Sequence, residues 1–465
     1  MKDIESKEVE ILSEELLESE MKDSTEEKKQ KKKKTKSKKE KKVKVKKVKE
    51  KKQKENKNDN NVLKKIGIVL LIVGLMCIAI GTSIFFIKER SSNKPTKEPP
   101  KVEEPKKEKE EPKEEKTSFS FIAVGDALIH DGIYYDANTW QTGSDGYYIY
   151  DFTSMFTDLA EVIKPYDLKF YNQETIIGGK NLGLSGYPCF NSPNEVAEDL
   201  MEIGFNVVNL ASNHTMDKGT AGAIYSANYW HNQKDVLAVG SYTSKEHRDT
   251  IEVRKENGIT YAMLSYTYGT NGIPVPAGYE YLVNVWPTGN GYEAYKAQVK
   301  KDIESVRDRV DVLMVSMHWG IEYQTGYYNA YQRDAAEYLA SLGVDVIIGT
   351  HPHVVQPIEY IGDTLVVYSL GNMISAQVGL DKLVGGVVAF DVEKTTLDGK
   401  VTDVSIKDVK ADLIYTYYNN FQNFKVIPFH KLNDNLLYGY RSIYDRYKGY
   451  LNPSGDSRIQ VGFLG

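Results

Sequence analysis

Apolar positions in this chain gather into short unbroken runs, and several of the runs end on residues that can bind a metal or move a proton. Val344 to Ile348 is the clearest, followed at once by Gly349-Thr350-His351-Pro352-His353. A continuous apolar run bounded by turn residues predicts a buried strand, and this one delivers two imidazoles to the point where the strand stops. The pattern recurs upstream. Ser120–Val124 leads into Gly125-Asp126, Leu168–Tyr171 into Asn172-Gln173-Glu174, Phe205–Leu210 into Ser212-Asn213-His214, and Val310–Val315 into His318-Trp319-Gly320. In an open α/β sheet the ligand crevice lies outside the carboxyl ends of the strands, so these distant residues are expected to converge.

Between the runs the periodicity changes. Asn194–Ile203, Tyr292–Arg309 and Tyr331–Leu342 carry helical spacing, the last closed by Gly343. Val236–Val239, Thr260–Tyr266, Thr364–Tyr368, Gly386–Val392 and Val401–Val409 read as further strands, and the Tyr-rich tail Leu432–Tyr447 reads as helical. The order is α/β first and mostly β toward residue 410, which predicts a layered α/β/α sandwich whose sheets are largely covered.

Composition divides the 465 residues into unequal parts that the net charge of -5 conceals. Residues 1 to about 27 are Glu-rich and Lys28–Lys57 are mostly Lys, so residues 1–60 are expected to be a disordered charged tail. Ile66–Ile87 carries no charge. As a helix rising ~1.5 Å per residue it spans the ~30 Å hydrocarbon core, and it begins too far into the chain for a cleaved signal peptide. The span 66–87 is therefore expected to be a transmembrane helix with the lysines on the cytoplasmic side. That placement makes the membrane the expected partner of the lysines and excludes nucleic acid. Residues 91–117, built of Pro, Lys and Glu, are expected to be a semi-stiff linker, and 118–465 an extracytoplasmic domain. Of the two cysteines Cys77 falls in the span, which leaves Cys189 alone in the outer domain, read as a small apolar residue.

Asp126, Glu174, Asn213, His318, His351 and His353 offer two carboxylates, one amide oxygen and three imidazoles. Six such donors suffice for two divalent ions about 3.5–4 Å apart, and manganese, zinc and iron all suit them. Each residue also has a plainer reading. Asp126 could cap a turn, Glu174 could be a solvated loop charge, Asn213-His214 could cap a helix starting near Asp217, and His318 could be a packed histidine. His231, His247 and His430 follow no apolar run and are expected on the surface.

The blocks Gly125-Asp126, Asn172-Gln173-Glu174, Asn213-His214 with Asp217 and Gly219, His318-Trp319-Gly320, Gly349 to His353 and Ser369 to Asn372 resemble, in order, the signature of the CapA family of poly-γ-glutamate capsule proteins. The resemblance runs from about Phe121 to Ala376. It implies a calcineurin-like metallophosphoesterase fold, a four-layered α/β/β/α sandwich with a two-metal centre. By the same resemblance Asp126 and His353 serve the first metal, Glu174 bridges, and Asn213, His318 and His351 serve the second. His214 would be the general acid, with Asp217 beside it, and Ser369–Asn372 would border the cleft. Two positions depart from the pattern. Leu128 stands where ordinary metallophosphoesterases carry a histidine, a loss that His130 or Asp131 would have to make good. Gln173 replaces a usual leucine, and its side chain should point away from the site.

The function these features imply is that of a single-pass membrane protein whose outer domain acts in synthesis, export or processing of an anionic surface polymer such as poly-γ-glutamate. The expected chemistry is metal-dependent hydrolysis or transfer at an amide, ester or phosphoester bond. The alternative is a non-catalytic polymer-binding or scaffold component beside a membrane-bound polymer synthase. An extracellular phosphatase or nucleotidase is a third reading, against which Leu128 counts.

Overall fold

Runs of β-branched and aromatic residues can be buried on both sides only when further layers cover them. In the computed structural model, which describes residues 113–289 and 291–464, the runs assemble into two large sheets and a small hairpin. The expected tail 1–60, the span 66–87 and residues 91–112 of the expected linker lie outside the described residues. Among the described residues, no helix is long and apolar enough to cross a membrane.

The first strands are β1 (Glu114–Leu128), β2 (Asn138–Thr142), β3 (Tyr148–Tyr150), β4 (Leu168–Asn172), β5 (Val207–Asn209) and β6 (Leu237–Val239). They are followed by β7 (Arg254–Glu256), β8 (Ile259–Thr267), β9 (Val312–His318), β10 (Val346–Thr350), β11 (Ile358–Ile361) and β12 (Thr364–Val367). The last are β13 (Asn372–Ser375), β14 (Val384–Leu397), β15 (Lys400–Asn419), β16 (Gln422–Pro428) and β17 (Ile459–Val461). The first sheet has nine strands in the order β16-β15-β14-β1-β4-β5-β6, with β13 beside the end of β1 and β17 beside β15. The second has six, in the order β11-β12-β10-β9-β8-β7. Within them β1, β4, β5 and β6 run parallel, as do β8, β9, β10 and β12.

Alternation along each strand decides what each face meets. Phe121, Phe170 and Val207 from the first sheet share a core with Met263, Met314 and Ile348 from the second. The opposite face of the first sheet, through Ile122, Tyr171 and Val208, packs on Phe156 and Leu159 of the helix Thr153–Ile163 and on Leu200 of the helix Asn194–Glu202. Leu264, Val315 and Ile347 on the outer face of the second sheet pack on Ile303 of the helix Tyr292–Val306 and Leu339 of the helix Ala330–Ser341. The order of layers is helix, sheet, sheet, helix.

Several expectations are corrected. Strand β1 begins at Glu114, inside the expected linker 91–117, because Glu114–Ser118 pair with Leu397–Glu393 of β14. These residues are mostly polar and exposed, so their composition conceals a strand held by backbone hydrogen bonds. In the tail, the Asn433 side chain accepts from the N–H groups of Asn435 and Leu436, so residues 432–439 turn and the helix is Tyr440–Leu451 rather than 432–447. His231 and His247 are not surface residues. They lie half-buried with ring centroids 4.2 Å apart, His231 stacked on Tyr242. Cys189 is exposed rather than packed as an apolar residue.

Candidate metal centre

Carboxyl ends of the inner strands of both sheets meet at one place. From the first sheet come Asp126 near the end of β1, Glu174 two residues past β4 and Asn213 in the turn after β5. From the second come His318, the last residue of β9, and His351 and His353 just past β10. Asp126 can sit where it does because Gly125 has no side chain: a Cβ there would lie 1.8 Å from the Gly371 carbonyl oxygen, which instead accepts the Asp126 N–H at 2.9 Å. His351 and His353 adopt left-handed backbone conformations, with φ of 94° and 59°, a cost that non-glycine residues bear only where the surroundings fix them.

Hydrogen bonds define which atoms remain available. The His353 Nδ1–H is shared between Asn372 Oδ1 at 3.0 Å and Asp126 Oδ2 at 3.2 Å, so Nε2 is the free ring nitrogen. It faces Glu174 Oε1 at 3.5 Å and Glu322 Oε1 at 3.9 Å. Asp126 Oδ1 accepts from Asn172 Nδ2 at 2.8 Å, and Oδ2 also accepts the His351 N–H at 3.3 Å. Asp126 thus orients His353 through Oδ2, while Oδ1, with a single donor, keeps a lone pair for a cation. His318 Nε2 and Asn213 Oδ1 are 2.9 Å apart, a separation that two ligands of one ion, each ~2.1 Å from it, can also adopt. The other His318 nitrogen, Nδ1, is fixed by Thr350 Oγ1 at 2.9 Å.

Three buried atoms here have no partner: both carboxylate oxygens of Glu174 and Nδ1 of His351. Glu174, His351 and His353 also place one ligand atom each within 4.8 Å of one another. A buried, unpaired carboxylate is costly unless a cation or donor meets it, so the donor set fits a divalent ion. Electrostatics agree. Burial, with Asp126 and Glu322 adding, pushes the Glu174 carboxyl well above its usual range, a penalty a cation would relieve. Burial and neighbouring imidazoles hold His318 and His351 well below theirs, which keeps them neutral as ligands must be. Burial alone would lower His353 as well, but Glu174 and Asp126 outweigh it and raise the imidazole to about 9.

His214 lies at the wall of a cleft of about 490 Å³ that also exposes His353, Leu128 and Glu322. Its Nδ1 bonds Asp217 Oδ2 at 2.7 Å, and that oxygen is held in turn by the Phe190 N–H at 2.7 Å. The imidazole stands edge-on to Phe190 at 4.7 Å between ring centroids, so Nε2 is the nitrogen left for the cleft. His130, considered as a substitute ligand, faces the same cleft, but its Nδ1 sits 3.0 Å from the Leu128 carbonyl oxygen. Gln173 points away as expected, its side chain bonded to the Tyr171 hydroxyl and the Thr175 carbonyl. Residues given no positioning role from the sequence, though all but Asn209 stand in the blocks quoted there, complete the site. Asn172, Asn209, Thr350 and Asn372 hold the ligand-bearing side chains in a buried amide and hydroxyl network. Each is the last or first residue of its strand, and that position was the signal available to find it.

The family described as "Bacterial capsule synthesis protein PGA_cap" matches residues 120–377. The chain is 28% identical over 267 residues to the PGA biosynthesis protein CapA of Bacillus subtilis, covering 55% of this chain and 62% of that one. It is 27% identical over 199 residues to the capsule biosynthesis protein CapA of Bacillus anthracis, covering 43% of this chain and 45% of that one. The chain therefore spans less than two thirds of the length of either relative. Among solved structures, the calcineurin-like phosphoesterase YfkN of Bacillus subtilis aligns at a TM-score of 0.34 and 15% identity, covering 72% of this chain and 99% of that one. The GAP50 anchor of the inner membrane complex of Plasmodium aligns at 0.32 and 12% identity, covering 63% and 90%. Scores of that size carry no inference about this chain.

Proposed function

The chain belongs to the family of bacterial capsule synthesis proteins, PGA_cap, and from that membership we propose that it acts outside the cytoplasm in making, exporting or processing an anionic surface polymer of the poly-γ-glutamate kind. Its membrane anchor in this reading is the apolar span 66–87. The reaction is metal-dependent hydrolysis or transfer at an amide, ester or phosphoester bond of the polymer or its precursor. One observation carries the chemistry: the buried, unpartnered Glu174 carboxylate beside His351 and His353, at the foot of an open cleft.

A divalent ion held by Glu174, His351 and His353, with Asn213 and His318 adjoining, would supply the positive charge that polarises the bond and lowers the pKa of water. The remaining work falls to the chain itself. Asp126 and Asn372 fix the His353 ring so that Nε2 faces inward. Asp217 fixes His214 through Nδ1, which leaves Nε2 to donate a proton to the leaving group.

A second reading is favoured by a specific observation. With Leu128 contributing no donor where the family resemblance implies a ligand, a single ion could serve to hold polymer carboxylates without turnover. The deciding experiment is elemental analysis of the full chain, wild type beside His351→Ala and His353→Ala, followed by turnover assays on amide and phosphoester substrates. Bound metal that falls in both variants, with turnover lost and cooperative unfolding kept, supports the hydrolase. Bound metal with polymer retention and no turnover selects the scaffold. A wild-type chain without metal sinks both. The anchor is tested by fractionation, where deletion of residues 66–87 should release the chain from membranes.

A further inference from the structure

Lining the same cleft as Leu128 is a carboxylate to which neither the sequence reading nor the family match gives a role. Glu322 lies four residues beyond His318, in the turn that follows β9, and its Oε1 is 3.9 Å from His353 Nε2. Its place there is built rather than accidental. Gly320 turns the chain at φ 93° and Tyr323 at φ 67°. The Tyr323 N–H then bonds the Pro352 carbonyl at 2.9 Å, between the two ligand histidines, and the Gly326 N–H bonds the Val355 carbonyl at 2.9 Å. Gln356 Nε2 bonds the Gln324 carbonyl at 3.1 Å. Residues 320–326 are thereby strapped alongside 351–356, and the strap holds Glu322 beside His353 across 31 positions of sequence.

The distance from His353 suits coordination, and the exposed Glu322 arm would swing further in to join Glu174 and His351, whose ligand atoms lie with that of His353 within 4.8 Å of one another. Two ligands each ~2.1 Å from one ion at a tetrahedral angle stand about 3.4 Å apart. Around His353 Nε2 the two carboxylates lie at 3.5 Å for Glu174 and 3.9 Å for Glu322, one from the buried side and one from the open side. The Glu174 oxygens are both unpartnered and fully buried, an independent sign that something positive belongs between them and the cleft. Among the described residues, the ion-pair contact of Glu322 is with His353. Leu128, on the same cleft wall, is apolar, and His130 spends Nδ1 on the Leu128 carbonyl.

We infer that Glu322 is a metal ligand, closing the open side of the site in the position that Leu128 leaves without a donor. The inference rests on the metal reading of the site but not on any catalytic activity. Its carboxylate, reaching in from an exposed turn, completes the shell from the solvent side, so the ion is taken up through the cleft and retained by this one arm.

The test is cobalt(II) binding to the full chain after chelation, read by affinity and by the visible spectrum, which reports coordination. Glu322→Gln should weaken cobalt binding at least about tenfold and change the spectrum. Glu322→Asp, which keeps the charge but shortens the arm, should not restore either. Unchanged affinity and spectrum in Glu322→Gln would overturn the assignment while leaving the metal site standing. Full restoration by Asp would assign the effect to charge alone and equally overturn it. Failure of the wild-type chain to bind cobalt would instead bring down the metal reading of the site, and this inference with it.

Discussion

Asp126 and His130 are four residues apart, yet the surroundings set them different tasks. The carboxylate is paired on both oxygens and orients His353, whereas the imidazole is packed edge-on against Phe190, at 5.2 Å between ring centroids, and touches no ligand residue through a hydrogen bond. Burial, resisted by the Leu128 carbonyl and added to by the positive charge of His353, lowers the His130 imidazole to about 4. Its folded pKa then lies below the unfolded value of about 6.5, so the unfolded chain binds the extra proton between these values. The contribution to stability is present in full above pH ~6.5 and is lost as pH falls toward about 4, by up to roughly 3 kcal/mol. Thermal unfolding of His130→Asn across this range should show a flatter acid limb than the wild type; an identical limb would refute the assignment. At this scale the sequence made the ligand-type residues legible, because His, Asp and Glu at strand ends declare their chemistry. It did not make Glu322 legible, since nothing local distinguishes a loop carboxylate strapped to His353 from one in solvent.

Among the elements, those whose core face is apolar and regular were readable and those that depend on distant partners were not. The helices Asn194–Glu202 and Ala330–Ser341 and the strands β4, β9 and β10 lie within a few residues of their expected positions, because burial on a fixed period leaves a pattern. The helix Thr153–Ile163 carried the same period in Met155, Phe156, Leu159, Val162 and Ile163, and the sequence reading assigned nothing there. The helix Gly219–His231 is harder to see, being built of small residues and tyrosines around its whole circumference. The polar half of β14 extends that strand well past its apolar stretch, as β1 does at its start, whereas in β15 the expected Val401–Val409 is the more exposed half and the buried Ala411, Leu413, Ile414 and Tyr415 were not assigned. The tail helix Tyr440–Leu451 had no role in the sequence; in the structure Tyr447 and Leu451 are buried in the core between the sheets, and the Tyr447 hydroxyl bonds Asp381. Tyr447→Ala should therefore cost about 3–5 kcal/mol, and Tyr447→Phe about 1 kcal/mol, in denaturant unfolding of the full chain. Equal and small effects for both would show that the helix is peripheral.

Over the whole described part of the molecule, the run pattern predicted three layers and only the family resemblance implied the four that are found: two sheets bury one face on each other and cover the other with helices, and periodicity along the chain cannot tell one covered sheet from two. An ion at the site binds only the folded arrangement, because its donors are spread over the 179 positions from Glu174 to His353 in the unfolded chain. Saturation at about 100 times Kd should add about 2.7 kcal/mol, and a chelator should remove it. Differential scanning of the full chain with and without chelator checks this; a midpoint indifferent to both would mean the site is not loaded. One consequence of the donor arrangement reaches beyond stability. Glu174 and Asn213 hang from the first sheet, whereas His318, His351 and His353 hang from the second. A bound cation would act as a clasp across the seam between them, so that prising the two sheets apart at this end would have to break its bonds to one side or the other. Pulled from opposite sheets, the loaded chain should therefore resist force more than the chelated one.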